Sequence, residues 1–137
     1  MPRNPTSLRL SDSVAAELER AAKRAGESRT RLVERYIDEG LRRDEHPLID
    51  FRGSAAARRP ALAASRLDVW QVIETFNNSE KNVDETAKYF DIPVAHVRAA
   101  IRYYAQYRGE IDEYIERMHA AAEFAEAAWR REQEVLG

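Results

Sequence analysis

A chain of 137 residues, 44% apolar and 34% charged, holds material for one compact domain or two small ones and not for a large two-domain enzyme. It has no cysteine, which excludes disulfides, thiolate zinc sites and cysteine nucleophiles and leaves carboxylates and three histidines as possible metal ligands. A mean hydropathy of −0.65, no window near the roughly 18 apolar residues of a membrane span, and a Met1-Pro2-Arg3-Asn4 start without an apolar stretch point to a soluble cytoplasmic protein. The formal net charge of −2 conceals a gradient. Residues 1–43 hold ten Lys/Arg against seven Asp/Glu, residues 44–108 nine of each, and residues 109–137 three against eight. The basic front suits a polyanion such as nucleic acid, and the acidic back does not.

The first unit, residues 1–43, reads as one strand and two helices. Thr6, Leu8 and Leu10 alternate with Ser7 and Arg9, so the leucines face one way and the polar pair the other. Ser11 is an N-cap for a helix striped by Val14, Leu18, Ala21, Ala22 and Ala25, and Gly26 supplies its stop. Ser28 caps a second helix, striped by Leu32, Val33, Tyr36, Ile37, Gly40 and Leu41. One strand has nothing in this segment to pair with, and two short helices cannot enclose a core. A second copy solves both problems: two strands paired antiparallel about a twofold axis bury Leu8 and Leu10 and project Ser7 and Arg9 outward.

Leu8-Arg9-Leu10-Ser11-Asp12, the helix after it, and Gly26-Glu27-Ser28-Arg29-Thr30 together resemble the ribbon-helix-helix (VapB/CopG-like) family of bacterial repressors and antitoxins. The resemblance implies a homodimer that binds operator DNA. It implies that Ser7 and Arg9 read bases in the major groove, with Pro5, which has no side-chain donor, at the third outward position. It implies that the start of the second helix, Ser28 with Arg29 and Thr30, clamps phosphate. Physics supports the clamp independently, because the free amides and positive dipole end at Ser28 attract an anion and Arg29 and Arg31 add charge there. An arginine on the ribbon can donate two bonds to guanine, a contact worth roughly 1–3 kcal/mol of discrimination.

Asp44-Glu45-His46-Pro47 breaks the helical pattern and opens a second unit, residues 44–109. Leu48-Ile49-Asp50-Phe51 reads as a short strand, Gly53-Ser54 as a turn and Arg58 to Leu62 as a return strand, although Ala55-Ala56-Ala57 and Ala61 to Ala64 fit helix or irregular connection equally well. Ser65 is expected to open a helix that buries Leu67, Val69, Trp70, Val72, Ile73 and Phe76 and ends at Asn77-Asn78. Asn82 and Glu85 form a capping box for the next helix, Asp91-Ile92-Pro93 turns the chain, and Val94, Val97, Ala100, Ile101 and Tyr104 stripe a third helix ending near Gly109.

Ala87, Ile92, Val97 and Ile101 resemble a helix-turn-helix, with Asp91 where glycine is usual. His96, Arg98 and Arg102 on its last helix are candidates for a second DNA or partner surface; the alternative is a helix pair serving as scaffold. Stretches of residues 46–115, among them His46-Pro47-Leu48-Ile49, Phe51-Arg52, Arg58-Arg59 and Asp68-Val69-Trp70-Gln71-Val72-Ile73, resemble the domain-of-unknown-function-433 family. That resemblance implies an antitoxin encoded beside a PIN-like ribonuclease toxin.

Glu110 to Leu136 has neither proline nor glycine and carries Ile111, Ile115, Met118, Ala122, Ala125, Trp129, Glu132 and Leu136 at alternating spacings of four and three. A helix of roughly 27 residues extends about 40 Å, so its distal part is expected to pack on something beyond its own unit. Tyr114, Met118, Phe124 and Trp129 suit a groove on the toxin, and packing on the chain's own core or a second copy is the competing account. No catalytic site, metal site or cofactor is expected. His46, His96 and His119 lie far apart in sequence, and neither H-E-x-x-H nor a phosphate loop occurs. The expected fold is mainly α, with a dimeric ribbon-helix-helix, a small helix-turn-helix-containing domain with a short hairpin, and a long C-terminal helix. The expected function is an antitoxin that neutralises a PIN-like ribonuclease and represses its own operon, with a repressor lacking a toxin as the alternative.

Overall fold

The computed structural model describes Pro5 and residues 7–137, so Thr6, the first residue of the expected strand, lies outside the described residues. The architecture is mainly helical, with six helices and one antiparallel hairpin among the described residues. In chain order these are α1 (Asp12–Ala25), α2 (Arg29–Glu45), β1 (Ile49–Arg52), a 3-10 turn (Ala55–Ala57), β2 (Arg59–Leu62), α3 (Val69–Asn78), α4 (Val83–Phe90), α5 (Val94–Gln106) and α6 (Arg108–Leu136).

Local chemistry sets most of these ends. The Ser11 hydroxyl accepts from the Val14 amide at 3.3 Å to open α1, and Gly26 closes it at φ 66°, where its N–H reaches back to Ala22 and Lys23 carbonyls. Residues 7–10, where the sequence predicts a strand, belong to no helix or paired strand in one copy. The hairpin pairs Ile49 with Leu62 and Phe51 with Pro60, turning Ile49 and Phe51 inward. Gly53, at φ 101°, has to be glycine because a Cβ there would collide with the Ala57 carbonyl.

Two expected boundaries are corrected. α3 opens at Asp68 and not at Ser65: Ser65 is spent in a tight turn, donating to the Leu62 carbonyl and accepting from the Leu67 amide, while Gln71 accepts from the Asp68 amide at 2.9 Å. The third helix of the middle unit ends at Gln106 and not near Gly109. The break falls at Tyr107 (φ −119°, ψ 40°), whose ring is held by the Arg42 guanidinium 4.0 Å away and by Tyr103, and Gly109 sits in the first turn of α6. Only half of the expected capping box of α4 forms: Asn82 accepts from the Glu85 amide at 2.9 Å, while the Asn82 amide bonds the Ser79 carbonyl at 3.1 Å in place of the Glu85 side chain.

The apolar residues gather in two clusters of unequal size. Leu18, Ala22 and Leu32 form the smaller, between α1 and α2. The larger joins Ile49, Phe51 and Leu62 of the hairpin to Val69, Val72, Ile73, Ala87, Val97, Ala100, Tyr103 and Ile111. α2 is tied to this second cluster by polar contacts. Glu39, almost fully buried, takes a two-pronged pair of hydrogen bonds from Arg58, each 2.8 Å. Arg42 donates to the Tyr103 hydroxyl at 2.7 Å and to Glu110 at 2.8 Å, and His46 bonds Gln106 at 2.7 Å. Burial pushes the Tyr103 hydroxyl above its ordinary range although the Arg42 bond opposes it. No helix among the described residues is long and apolar enough to cross a membrane.

Candidate nucleic-acid interface

The sequence places the candidate DNA contacts on the strand and at the start of α2, and their positions follow from the two caps. Ser28 lies in extended backbone, and its hydroxyl accepts from the Arg31 amide at 3.2 Å. The amides of Arg29 and Thr30, in the first turn of α2, therefore have no intrahelical partner and point past the helix end. Leu8, Leu10, Arg29, Thr30 and Val33 line one cleft of about 370 Å³, so Leu8 and Leu10 lie beside the first turn of α2. Ser7 and Arg9 are both exposed.

Arg29 and Arg31 diverge. Arg29 reaches across to Glu19 of α1 at 3.5 Å, a pair exposed on both sides, and remains beside the Leu8–Leu10 cleft. Arg31, two residues on and about 160° round the helix, lines a different cleft, of about 480 Å³, between α2 and the hairpin. That cleft is electrically balanced, since Arg58 pairs with Glu39 and Arg42 with Asp38 and Glu110.

The helix-turn-helix candidate has the expected turn. Asp91 adopts φ 53° and ψ 51°, the left-handed conformation usually given to glycine and tolerated by aspartate, and the Ile92 amide bonds the Ala87 carbonyl at 3.0 Å. Ala87 is buried where α4 meets α5. Arg98 and Arg102 are one turn apart on the exposed side of α5, but His96 is half-buried and about 160° round the helix from Arg98, so the three do not form one surface.

α6 divides near residue 119. Ile111 is buried, Tyr114 lies with its ring 6.2 Å from Trp70 of α3, Ile115 and Met118 are half-buried, and His119 pairs with Glu74. From Ala120 onward every residue is exposed except the half-buried Ala128; Phe124 is 73% and Trp129 58% exposed. The expected toxin-contact set is therefore split. Tyr114 is engaged by α3, Met118 is half-covered, and Phe124 and Trp129, five residues apart, lie about 140° apart round the helix.

Sequence reasoning missed the joint made by Glu39, Arg42, His46, Arg58 and Tyr103. The stripe on α5 favoured Tyr104, which is half-buried, while its neighbour Tyr103 is fully buried; the two neighbours on a helix gave no periodic signal to separate them.

Residues 4–44 match the family described as ribbon-helix-helix protein, copG family. Proteins of that family bind DNA, form dimers and regulate transcription. The match stops at residue 44, so the resemblance of residues 46–115 to the domain-of-unknown-function-433 family finds no support in it. No curated protein and no solved structure matches the chain.

Proposed function

We propose that the protein is a dimeric DNA-binding regulator in which Ser7 and Arg9 of paired strands read bases while the start of α2 anchors phosphate. One observation carries this: within the segment that matches the ribbon-helix-helix family, Ser7 and Arg9 are exposed, and the Leu8 and Leu10 between and beside them share a cleft with a Ser28-capped helix start that has two free amides. Arg29, held only by an exposed pair to Glu19, is free to turn toward a phosphate at little cost. The test is binding to the DNA upstream of its own gene across a salt series. A regulator of this kind binds that DNA with a steep salt dependence and prefers it to random sequence. Equal affinity for both would reduce it to a nonspecific binder.

The finer reading is an antitoxin that also engages a PIN-like ribonuclease. The observation favouring it is Phe124, an aromatic ring exposed on a helix face that nothing else in the described chain covers. Arg98 and Arg102 of α5 form a second exposed basic pair that suits an acidic partner or phosphate. The test is whether a ribonuclease gene adjoins this one, followed by coexpression of the two. A chain ended after His119 should keep operator binding and lose growth rescue; one ended after Gly109 would confound the result, because it deletes buried Ile111. Rescue by the chain ended after His119 would move the toxin contact elsewhere.

A further inference from the structure

We propose that the distal halves of α6 from two copies pair antiparallel, centred so that Trp129 of each copy packs over Ala125 of the other. This goes beyond the DNA-binding reading and does not depend on it.

The stripe that α3 covers at Ile111 and Ile115 does not stop where α3 stops. It continues through Met118, Ala122, Ala125, Trp129, the single charged Glu132, and Leu136, on residues exposed or half-exposed in one copy. An uncovered helical stripe at spacings of four and three is the pattern that knobs-into-holes pairing requires. The choice of a second copy as the occupant rests on self-complementarity in size. In the antiparallel register centred between Ala125 and Trp129, the largest side chain of the stripe meets one of the smallest, twice. The same register sets Met118 against Leu136 of the second copy. It also sets Glu132 against Ala122, a methyl short enough for the carboxylate to extend past it into water. Beside the seam, Ala128 faces Ala128 of the second copy and Ala121 faces Val135, a flank of small groups that lets the helix axes approach closely.

Charge selects the same direction. A parallel, in-register pair would stack Trp129 on Trp129, oppose Glu132 to Glu132 within the seam, and align two helix dipoles. Reversing one helix brings Glu123 to the height of Arg130 of the second copy. Glu126, which nears its own copy at the twofold axis, is already bonded to Arg130 in its own helix. Phe124, about 140° from Trp129, stays outside the seam.

The absence of native cysteine makes the register directly testable in the full-length chain, because a single introduced thiol can react only with itself in another copy. Under mild oxidation, Ala128→Cys should form a disulfide-linked dimer about tenfold faster than Ala121→Cys, since only position 128 lies near the twofold axis. A mixture of Ala121→Cys and Val135→Cys chains should cross-link to each other. Trp129→Asp added to Ala128→Cys should abolish the fast cross-link while helicity by circular dichroism is kept. Ala128→Cys reacting no faster than the exposed control Glu123→Cys would overturn the proposal and leave the face to a foreign partner. Equal rates at 121 and 128 would overturn the antiparallel register.

Discussion

The unit built on α1 and α2 and the unit built on the hairpin and α3 to α5 handle their apolar residues in opposite ways. The second closes around Tyr103, Ile49, Leu62, Val72, Ile73 and Val97, all at 0–2% exposure. The first buries only Leu18, Ala22 and Leu32, and leaves Leu8, Val14, Tyr36, Ile37 and Leu41 in water, Leu41 at 64% exposure. Exposed apolar side chains on one continuous surface mark an interface. The difference teaches that one unit closes its core within a single chain, while the other leaves an open apolar face of the kind the proposed ribbon dimer would cover. α2 belongs to both: its stripe is the open one, while Glu39 and Arg42 on its other side are locked to Arg58, Tyr103 and Glu110. A ribbon dimer would therefore carry the helical units in a fixed orientation.

The largest test of this contrast compares one residue from each side. Tyr103→Ala should destabilise the closed unit by about 3–5 kcal/mol in urea unfolding, whatever the protein concentration. Leu41→Ala should cost about 2 kcal/mol or more and make the unfolding midpoint depend on concentration, because the lost contact lies between copies. If Leu41 is as free in solution as in one copy, its truncation would stay within about 0.5 kcal/mol and break the contrast.

The joint between the units gives the next effect. Glu39→Ala leaves Arg58 partly buried without its carboxylate, an arrangement in which the guanidinium is at present held above its usual range chiefly by its hydrogen bonds to Glu39. A loss of about 3 kcal/mol is expected by thermal or urea unfolding, with Glu39→Gln recovering part of it. On the ribbon, Arg9→Ala should erase about 1–3 kcal/mol of preference for operator over random DNA and leave helicity intact. Arg29→Ala should weaken both equally. A uniform loss in the Arg9 variant would reassign that side chain to phosphate.

The smallest effect is with pH. The Asp50 carboxylate accepts from the Phe51 amide at 2.8 Å, with Arg43 and Arg52 nearby, and these hold it below the ordinary aspartate range against a lesser opposing effect of burial. Its folded value lies below its unfolded one, so the stability it contributes is present above the usual aspartate range and fades as pH falls through it. Asp50→Asn should flatten that part of the acid unfolding curve by a modest amount.

Much of this was legible in the sequence. Ser11, Gly26, Ser28, Asn82 and Pro93 mark helix ends because caps act through neighbours in the chain, and the structure keeps each at its end. The hairpin, ambiguous against helix from its alanines, was settled by Gly53 and by the partners that Ile49 and Phe51 find in Leu62 and Pro60. Contacts between residues far apart in the chain were not legible. Nothing in the pattern joins Arg42 to Tyr103 or Glu39 to Arg58, and His96 counted with Arg98 only until the helix set them on different sides. Periodicity reports which face is apolar, and it does not say which polar side chain reaches across.

Amide hydrogen exchange over residues 7–10 of the full-length chain tests the central claim most directly. In one copy these amides have no strand partner, and neither the closed unit nor paired tails would shield them. The account predicts slow exchange at Leu8, Arg9 and Leu10 at micromolar concentration, speeding up on dilution as the ribbon comes apart. Exchange at the rate of free peptide in a chain whose Tyr103 region remains protected would contradict it.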